Sequence, residues 1–202
     1  LARDEDVAVI GLGGVGIAAV QAARIGGAGR IVGVDLSAER REAATAFGAT
    51  DIVDPAAGDA AEAIRAITGG RGVDKAVVCV GHAGAIDASP AMLAKGGAVV
   101  IAGMPPEGAV SRYEPTGLVA ANHSIRGSKF GQAVVGEDIP HLCTLHDEGT
   151  LRLDAMVTGT HAFEDINAAL EAARAGQGLR SVVTFPAAAA DRADRAAETV
   201  RA

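Results

Sequence analysis

Short, nearly continuous apolar runs alternate along this chain with longer alanine-rich stretches of helical periodicity. Apolar runs bounded by turn residues read as strands buried on both faces. They predict strands at Val7–Gly11, Arg30–Asp35, Asp51–Val53, Ala76–Val80 and Ala98–Ala102. Helices fit between them at Gly14–Ile25, Ala38–Phe47, Asp59–Ile67 and Ala85–Ala94. Asp59 offers an N-cap, and Gly48 and Gly69 stand where helix C-termini favour positive φ. Strand–helix alternation with right-handed crossovers gives an α/β fold with a doubly wound parallel sheet.

Beyond Gly103 the rhythm changes. Met104-Pro105-Pro106 makes a stiff loop, since proline fixes φ and removes a donor. Ser124–Ser128 completes a six-stranded sheet. A helix around Ile139–Asp147, a second at Glu164–Ala175 and a strand Arg180–Phe185 closed by Pro186 form a C-terminal helix–strand extension. The stretch Ala187–Ala202 has helix propensity but a thin apolar face, so it reads as a frayed helix or a disordered tail.

Composition narrows the class. With 49% hydrophobic and 21% charged residues, the chain can bury a core. Aromatics are only 2%, so Val, Ile, Leu and Ala must build it. The 27 glycines are roughly twice the usual ~7% share, which suits loops that approach a ligand closely. A net charge of −7 argues against a nucleic-acid partner. No apolar run reaches the ~18 residues that span a bilayer, and no signal peptide opens the chain. A cytoplasmic protein without a membrane partner is expected. Cys79 and Cys143 cannot form a disulfide framework or a four-thiolate zinc site, and both read as buried apolar residues.

The chemistry gathers at Gly11-Leu12-Gly13-Gly14-Val15-Gly16, a G-x-G-x-x-G that follows a predicted strand and opens a predicted helix. This is the Rossmann dinucleotide fingerprint: the first glycine permits the turn, the second lets backbone reach a pyrophosphate, and the third lets helix pack on strand. Asp35 lies 19 positions after Gly16, at the end of the second strand. A carboxylate there accepts hydrogen bonds from ribose hydroxyls and repels a 2′-phosphate, which selects NAD over NADP. The alternative, that Asp35 merely caps the helix near Ala38, is disfavoured because strand, glycines and acid stand in register. Arg40 either approaches the ribose edge or is a solvated surface arginine. It leaves a tolerance for NADP open. His82, at the carboxyl edge of the sheet, lines the adenosine pocket or is a plain loop histidine.

Several stretches together resemble the medium-chain, zinc-type alcohol dehydrogenases, particularly the glutathione- or mycothiol-linked formaldehyde branch. They are VAVIGLGGVGIAAVQAARIGGAGRIVGVDLSAERREAATAFGATDIVDP (7–55), GVDKAVVCVG (72–81), VVIAGMPPEG (99–108), SIRGSKFG (124–131) and FEDINAALEAARAGQGLRSVVTF (163–185). The resemblance implies NAD(H) as cofactor, with Gly11, Leu12, Gly13, Gly14, Val15 and Gly16 as the phosphate loop. It implies Asp35 as the ribose acid and Arg40 as its basic partner, with Val80 and His82 beside the adenosine. Ala102 and Met104 would hold the nicotinamide carboxamide, with Phe130 near that end. Arg180 would reach the pyrophosphate from the C-terminal segment. It also divides the chain into a Rossmann domain (1–128), a segment that in the family returns to the catalytic domain (129–186), and the tail (187–202). Residues 129–186 must then fold onto the Rossmann core or leave apolar surface exposed. The strand at Ser124–Ser128 resembles one that pairs across a two-fold axis, implying a homodimer through that edge.

The family's zinc ligands, two Cys and one His, come from a region N-terminal to the glycine loop and find no counterparts here. The five histidines (His82, His123, His141, His146, His161) show no H-E-x-x-H spacing. Tyr113 is followed four residues on by Gly117, so the short-chain Tyr/Lys pair is absent as well. No metal-ligating or catalytic residue is therefore assigned. Two functions remain: the NAD(H)-binding part of an alcohol dehydrogenase, inactive by itself, or a stand-alone NAD(H)-binding module or sensor.

Overall fold

All four residues of strand β1 (Val7–Ile10) are buried in the computed structural model, which describes residues 2–185. Because side chains alternate along a strand, Ala8 and Ile10 serve one face of the sheet and Val7 and Val9 the other. Such a strand needs cover on both sides. Parallel to it run β2 (Ile31–Val34), β3 (Asp51–Val53), β4 (Val73–Val78), β5 (Leu93–Ile101) and β6 (Ser124–Gly127), in the order β3-β2-β1-β4-β5-β6. The α/β, six-stranded sheet expected from the sequence is present. Helices α1 (Gly14–Ile25) and α2 (Ala38–Phe47) link β1 through β3, and α3 (Ala60–Ile67) and α4 (Ala83–Ala88) link β3 through β5. Right-handed crossovers put these two pairs on opposite faces. Ile64 of α3 and Ile86 of α4 pack with Ala8, Ile10, Val32, Val34 and Val78 in one buried cluster. The order reverses between β1 and β4, which opens a crevice at the carboxyl edge.

Local signals placed several boundaries correctly. Asp59 caps α3 by accepting from Ala61 N (2.7 Å) and Glu62 N (3.2 Å). Gly48 and Gly69 both take positive φ. Elsewhere the structure corrects the sequence reading. The helix expected over Ala85–Ala94 ends at Ala88, a 3-10 turn spans Ser89–Met92, and β5 begins at Leu93 instead of Ala98. Pro90 has no N–H for a helical bond, and Leu93 is drawn into the sheet opposite Val73. Strand β4 starts at Val73 and stops at Val78, leaving Val80 beyond it. Helix α5 (Pro115–Ala121) was not foreseen. Its start is marked by Pro115 at N1 and by Glu114, which accepts from Gly117 N at 3.0 Å. Helix α6 (Val135–Asp147) begins ahead of Ile139 because Asp138 accepts from Val134 N at 2.7 Å.

The chain divides into two compact units, Leu1–Arg152 and Leu153–Ala202. The first runs on to Arg152 because that residue is bonded into α1 and α2. Its N donates to Oε1 of the fully buried Gln21 (2.8 Å) and its Nη1 to Ala46 O (2.7 Å), and its guanidinium lies 5.2 Å over the Phe47 ring. On α6, Val135, Ile139 and Leu142 recur at helical spacing and are all exposed. Of the two alternatives for residues 129–186, both are seen within the first unit: Arg152 is bonded to its helices, and α6 leaves apolar surface exposed. The second unit holds β7 (Val157–Ala162), α7 (Ile166–Arg174) and β8 (Arg180–Thr184) as a parallel pair joined by the helix, with β7 unanticipated. The tail Ala187–Ala202 lies outside the described residues. No described helix is long and apolar enough to cross a membrane.

At the amino end of the sheet, Arg71 bridges the segments entering β1 and β4. Its Nη2 meets Asp6 Oδ2 at 2.8 Å and its Nη1 meets Asp74 Oδ1 at 2.7 Å. Hydrogen bonding from Arg71, against an opposing effect of burial, holds the Asp74 carboxyl below its ordinary value of 3.8. A depressed folded-state pKa stabilises above the unfolded value and loses that contribution as pH falls toward the folded one. The bridge is half-exposed on the arginine side, so its contribution is small. Arg71→Ala should lower stability at pH 7 by about 1 kcal/mol or less. Denaturant melts should show the gap from the parent closing below about pH 4. A gap of constant size down to acid pH would refute the assignment.

Candidate functional site

The site is built where β1 turns into α1. Gly11 N continues the ladder to Val34 O (2.8 Å), and the chain then reverses with Gly11 at φ +89°. Gly16 is buried so tightly that a Cβ there would overlap the Gly11 carbonyl oxygen. This close approach brings the start of α1 onto the end of β1. Gly13 stands at the N-cap with no side chain to offer, and the first turn has no acidic residue. The N–H groups of that turn and the positive end of the helix dipole therefore suit an anion. A Cβ on Gly13 would meet nothing closer than Arg40 Nη1 at 4.0 Å, so the loop's outer side is open. Val15 is exposed on the same loop and Leu12 is buried beneath it.

Asp35 closes the adjoining turn. Its Oδ2 accepts from Leu12 N at 2.7 Å and its Oδ1 from Ser37 N at 2.8 Å, with the side chain only 10% exposed. Ser37, not Asp35, caps α2, accepting from Arg40 N at 3.4 Å. Asp35 is thus no helix cap; it ties the glycine loop to the β2–α2 turn. Each carboxylate oxygen keeps a second lone pair, so both still accept from a ligand hydroxyl. Arg40 Nη1 lies 3.9 Å from Asp35 Oδ2, which places a cation beside the acid and over the loop.

The ends of β4 and β5 form the neighbouring wall. A Cβ on Gly11 would come within 2.9 Å of Val80 Cβ, one on Gly103 within 2.5 Å of Val80 C, and one on Gly81 would overlap Met104 O. Backbone segments 79–81 and 102–104 therefore touch, with no room for a side chain at Gly81 or Gly103. Ala102 N donates to Val78 O at 2.9 Å, and Met104 projects with 77% of its surface exposed. His82 is the exposed N-cap residue of α4. Phe130 sits in a 3-10 turn after β6, at φ +53° and 88% exposed. Arg180 opens β8 in the second unit, where its N donates to Thr158 Oγ1 at 3.3 Å. The glycine loop, Asp35, Arg40, Val80 and Met104 thus share one edge of the first unit, and Arg180 belongs to the other.

Sequence reasoning missed Gly81, Gly103, Ser37 and Arg41. A glycine directly after each of two expected strands, and a serine just before a helix, were signals available for the first three. The cysteines differ from each other. Cys143 is exposed, against expectation, because α6 presents it outward. Cys79 is largely buried, and burial pushes its thiol up to about 11, so it stays protonated at neutral pH.

Residues 14–147 match the family model described as zinc-binding dehydrogenase. The chain belongs to the zinc-binding dehydrogenase family. It is 37% identical to alcohol dehydrogenase 1 of Solanum tuberosum over 186 residues, covering 91% of this chain and 48% of that protein. A crystal structure of an alcohol dehydrogenase zinc-binding domain protein from Burkholderia ambifaria superposes with a TM-score of 0.88 at 33% identity, covering 92% of this chain and 50% of that one. A Sinorhizobium meliloti 1021 structure of the zinc-binding dehydrogenase type, bound to NADP, superposes at 0.77 with 27% identity, covering 91% of this chain and 53% of that one. The chain spans about half the length of the relatives it matches. Among the described residues no three His, Cys, Asp or Glu side chains gather as a metal site, so the family's zinc has no fitting ligand set in them.

Proposed function

We propose that this chain is the NAD(H)-holding part of an alcohol dehydrogenase, taking NAD(H) in preference to NADP(H). The observation that carries the reading is Asp35, anchored by both oxygens beside an uncapped helix N-terminus. In this arrangement the first turn of α1 holds the pyrophosphate, and Asp35 accepts from the adenosine ribose hydroxyls. A nicotinamide held there would supply hydride transfer to or from an alcohol or aldehyde carbon. The backbone wall at 79–81 and 102–104 would line the cofactor along the carboxyl edge, and the sequence resemblance assigns Met104 and Phe130 to the nicotinamide end. Arg180 is assigned to the pyrophosphate from the sequence resemblance. The thiol-linked formaldehyde branch rests on the quoted sequence stretches, and a substrate panel that includes thiol adducts of formaldehyde decides it. A stand-alone binding module uses the same cofactor geometry and differs only in lacking turnover.

One observation favours a second cofactor. Arg40 stands 3.9 Å from Asp35 and offsets part of its repulsion toward a 2′-phosphate. Titrating the chain with NADH and with NADPH, following nicotinamide fluorescence, separates the two. The absence of Trp leaves that signal a clean background. NADH should bind at least about tenfold tighter, a difference of roughly 1.4 kcal/mol. Equal affinities, or a preference for NADPH, overturn the selectivity.

The exposed apolar positions of α6 support reading residues 129–186 as the part that in the family packs against a catalytic domain. Strand β6 ends the sheet, and its outer edge presents unpaired backbone groups. We infer a homodimer formed through that edge. Light scattering at micromolar concentration should return twice the chain mass, and a monomer mass rejects the pairing.

A further inference from the structure

We propose that Arg41, braced by Asp54, is the positioning residue that fixes the β2–α2 turn in its ribose-selecting geometry. This rests on the reading that the site takes NAD(H). Arg41 lies on the first turns of α2, and its side chain folds back beneath the turn that precedes the helix. Its Nη1 donates to both Asp35 O (2.6 Å) and Leu36 O (2.9 Å). Its Nη2 pairs with Asp54 Oδ2 at 2.8 Å. Asp54 follows β3 and is itself held, its Oδ1 accepting from Ala56 N at 2.9 Å. The arginine side chain is only 13% exposed.

Packing does not hold this turn, because Leu36, its central side chain, is 71% exposed. Hydrogen bonds do. The Asp35 carboxylate grips Leu12 N and Ser37 N, while Arg41 grips the carbonyls of the same two-residue step from the other side. With its backbone held by Arg41 and its carboxylate by Leu12 N and Ser37 N, Asp35 keeps one orientation toward a ribose. Only a planar guanidinium offers donors in a fork that spans two carbonyls and a carboxylate, so lysine is no substitute. Arg41 acts on the cofactor through Asp35. Its role differs in kind from that of Arg40, whose charge faces the site.

The two ways an arginine can act here have opposite signatures. If Arg41 worked as a cation attracting phosphate, removing it would weaken NADPH more than NADH. As a brace, its removal loosens Asp35, so NADH weakens and NADPH does not. The test is to measure both dissociation constants by nicotinamide fluorescence for the whole chain and for Arg41→Met, Arg41→Lys and Asp54→Asn. Amide hydrogen exchange at Leu12 and Ser37 is recorded on each without cofactor. Arg41→Met should raise the NADH constant about five- to tenfold and leave NADPH within about twofold, with faster exchange at both amides. Asp54→Asn, which keeps the cation, should shift the ratio the same way by less, and Arg41→Lys should not restore it. A larger loss for NADPH, or an unchanged ratio with unchanged exchange, overturns the brace while leaving the NAD(H) reading intact. A parent chain that binds neither nucleotide, or does not discriminate, overturns the NAD(H) reading and the selecting role with it. Faster exchange in the variants would then describe a turn-stabilising bond alone. Thermal unfolding separates these results from loss of the fold, and Asp54→Asn is the milder variant if Arg41→Met does not fold.

Discussion

Gly16→Ala will weaken NADH binding by at least about tenfold and lower the stability of the chain by about 1–3 kcal/mol, the usual range for overpacking a tight core. A Cβ at this position overlaps the Gly11 carbonyl oxygen and stands 2.8 Å from its carbon. Both are backbone atoms, so no side chain can rotate away. Either α1 lifts from β1 or the Gly11 turn opens, and either movement displaces the first-turn N–H groups from a pyrophosphate. Gly136→Ala is the matching control. It lies in α6 with nothing within 4 Å of the added carbon, so the change should leave binding alone and add up to about 1 kcal/mol through helix propensity. Nicotinamide titration and thermal unfolding read both effects. A Gly16→Ala chain that binds NADH within twofold of the parent would remove α1 from the cofactor site.

Asp35→Ala carries the second large effect, on specificity. The substitution deletes the acceptor for Leu12 N and Ser37 N together, and with it the charge that disfavours a 2′-phosphate. Leaving a part-buried N–H without a partner costs about 1–3 kcal/mol. The NADH dissociation constant should rise at least about tenfold, and the NADPH constant should stay level or fall, since Arg40 then faces the site without its acid. Asp35→Asn, which keeps one acceptor oxygen and loses the charge, should fall between. If the ratio of the two constants does not move in either variant, Asp35 holds the turn and does not select the cofactor.

Much of this was legible from short stretches of chain. Val7–Ile10 is apolar throughout because both sheet faces are covered, and the G-x-G-x-x-G that follows it marks the close contact of helix and strand. Asp59, Gly48 and Gly69 announced helix ends by chemistry that acts within a few residues. Less local decisions went unseen. Leu93 directly follows a 3-10 turn, yet pairing with Val73 draws it into the sheet. Strand β7 has a weak pattern of its own, and its partner β8 defines it.

The sequence by itself determined the α/β class, the glycine turn and the acid at the end of the second strand. Each depends on periodicity, backbone freedom or spacing within one βαβ unit. Tertiary structure alone decided that Asp35 bridges to Leu12, that Gly81 packs on the Met104 carbonyl and Gly103 on the Val80 backbone, and that Arg41 reaches Asp54. It also decided that Arg152 docks on Gln21, 131 positions away. Such bonds join groups whose separation along the chain carries no periodic signal. They exist only once the sheet has ordered its strands and brought those groups within hydrogen-bonding reach.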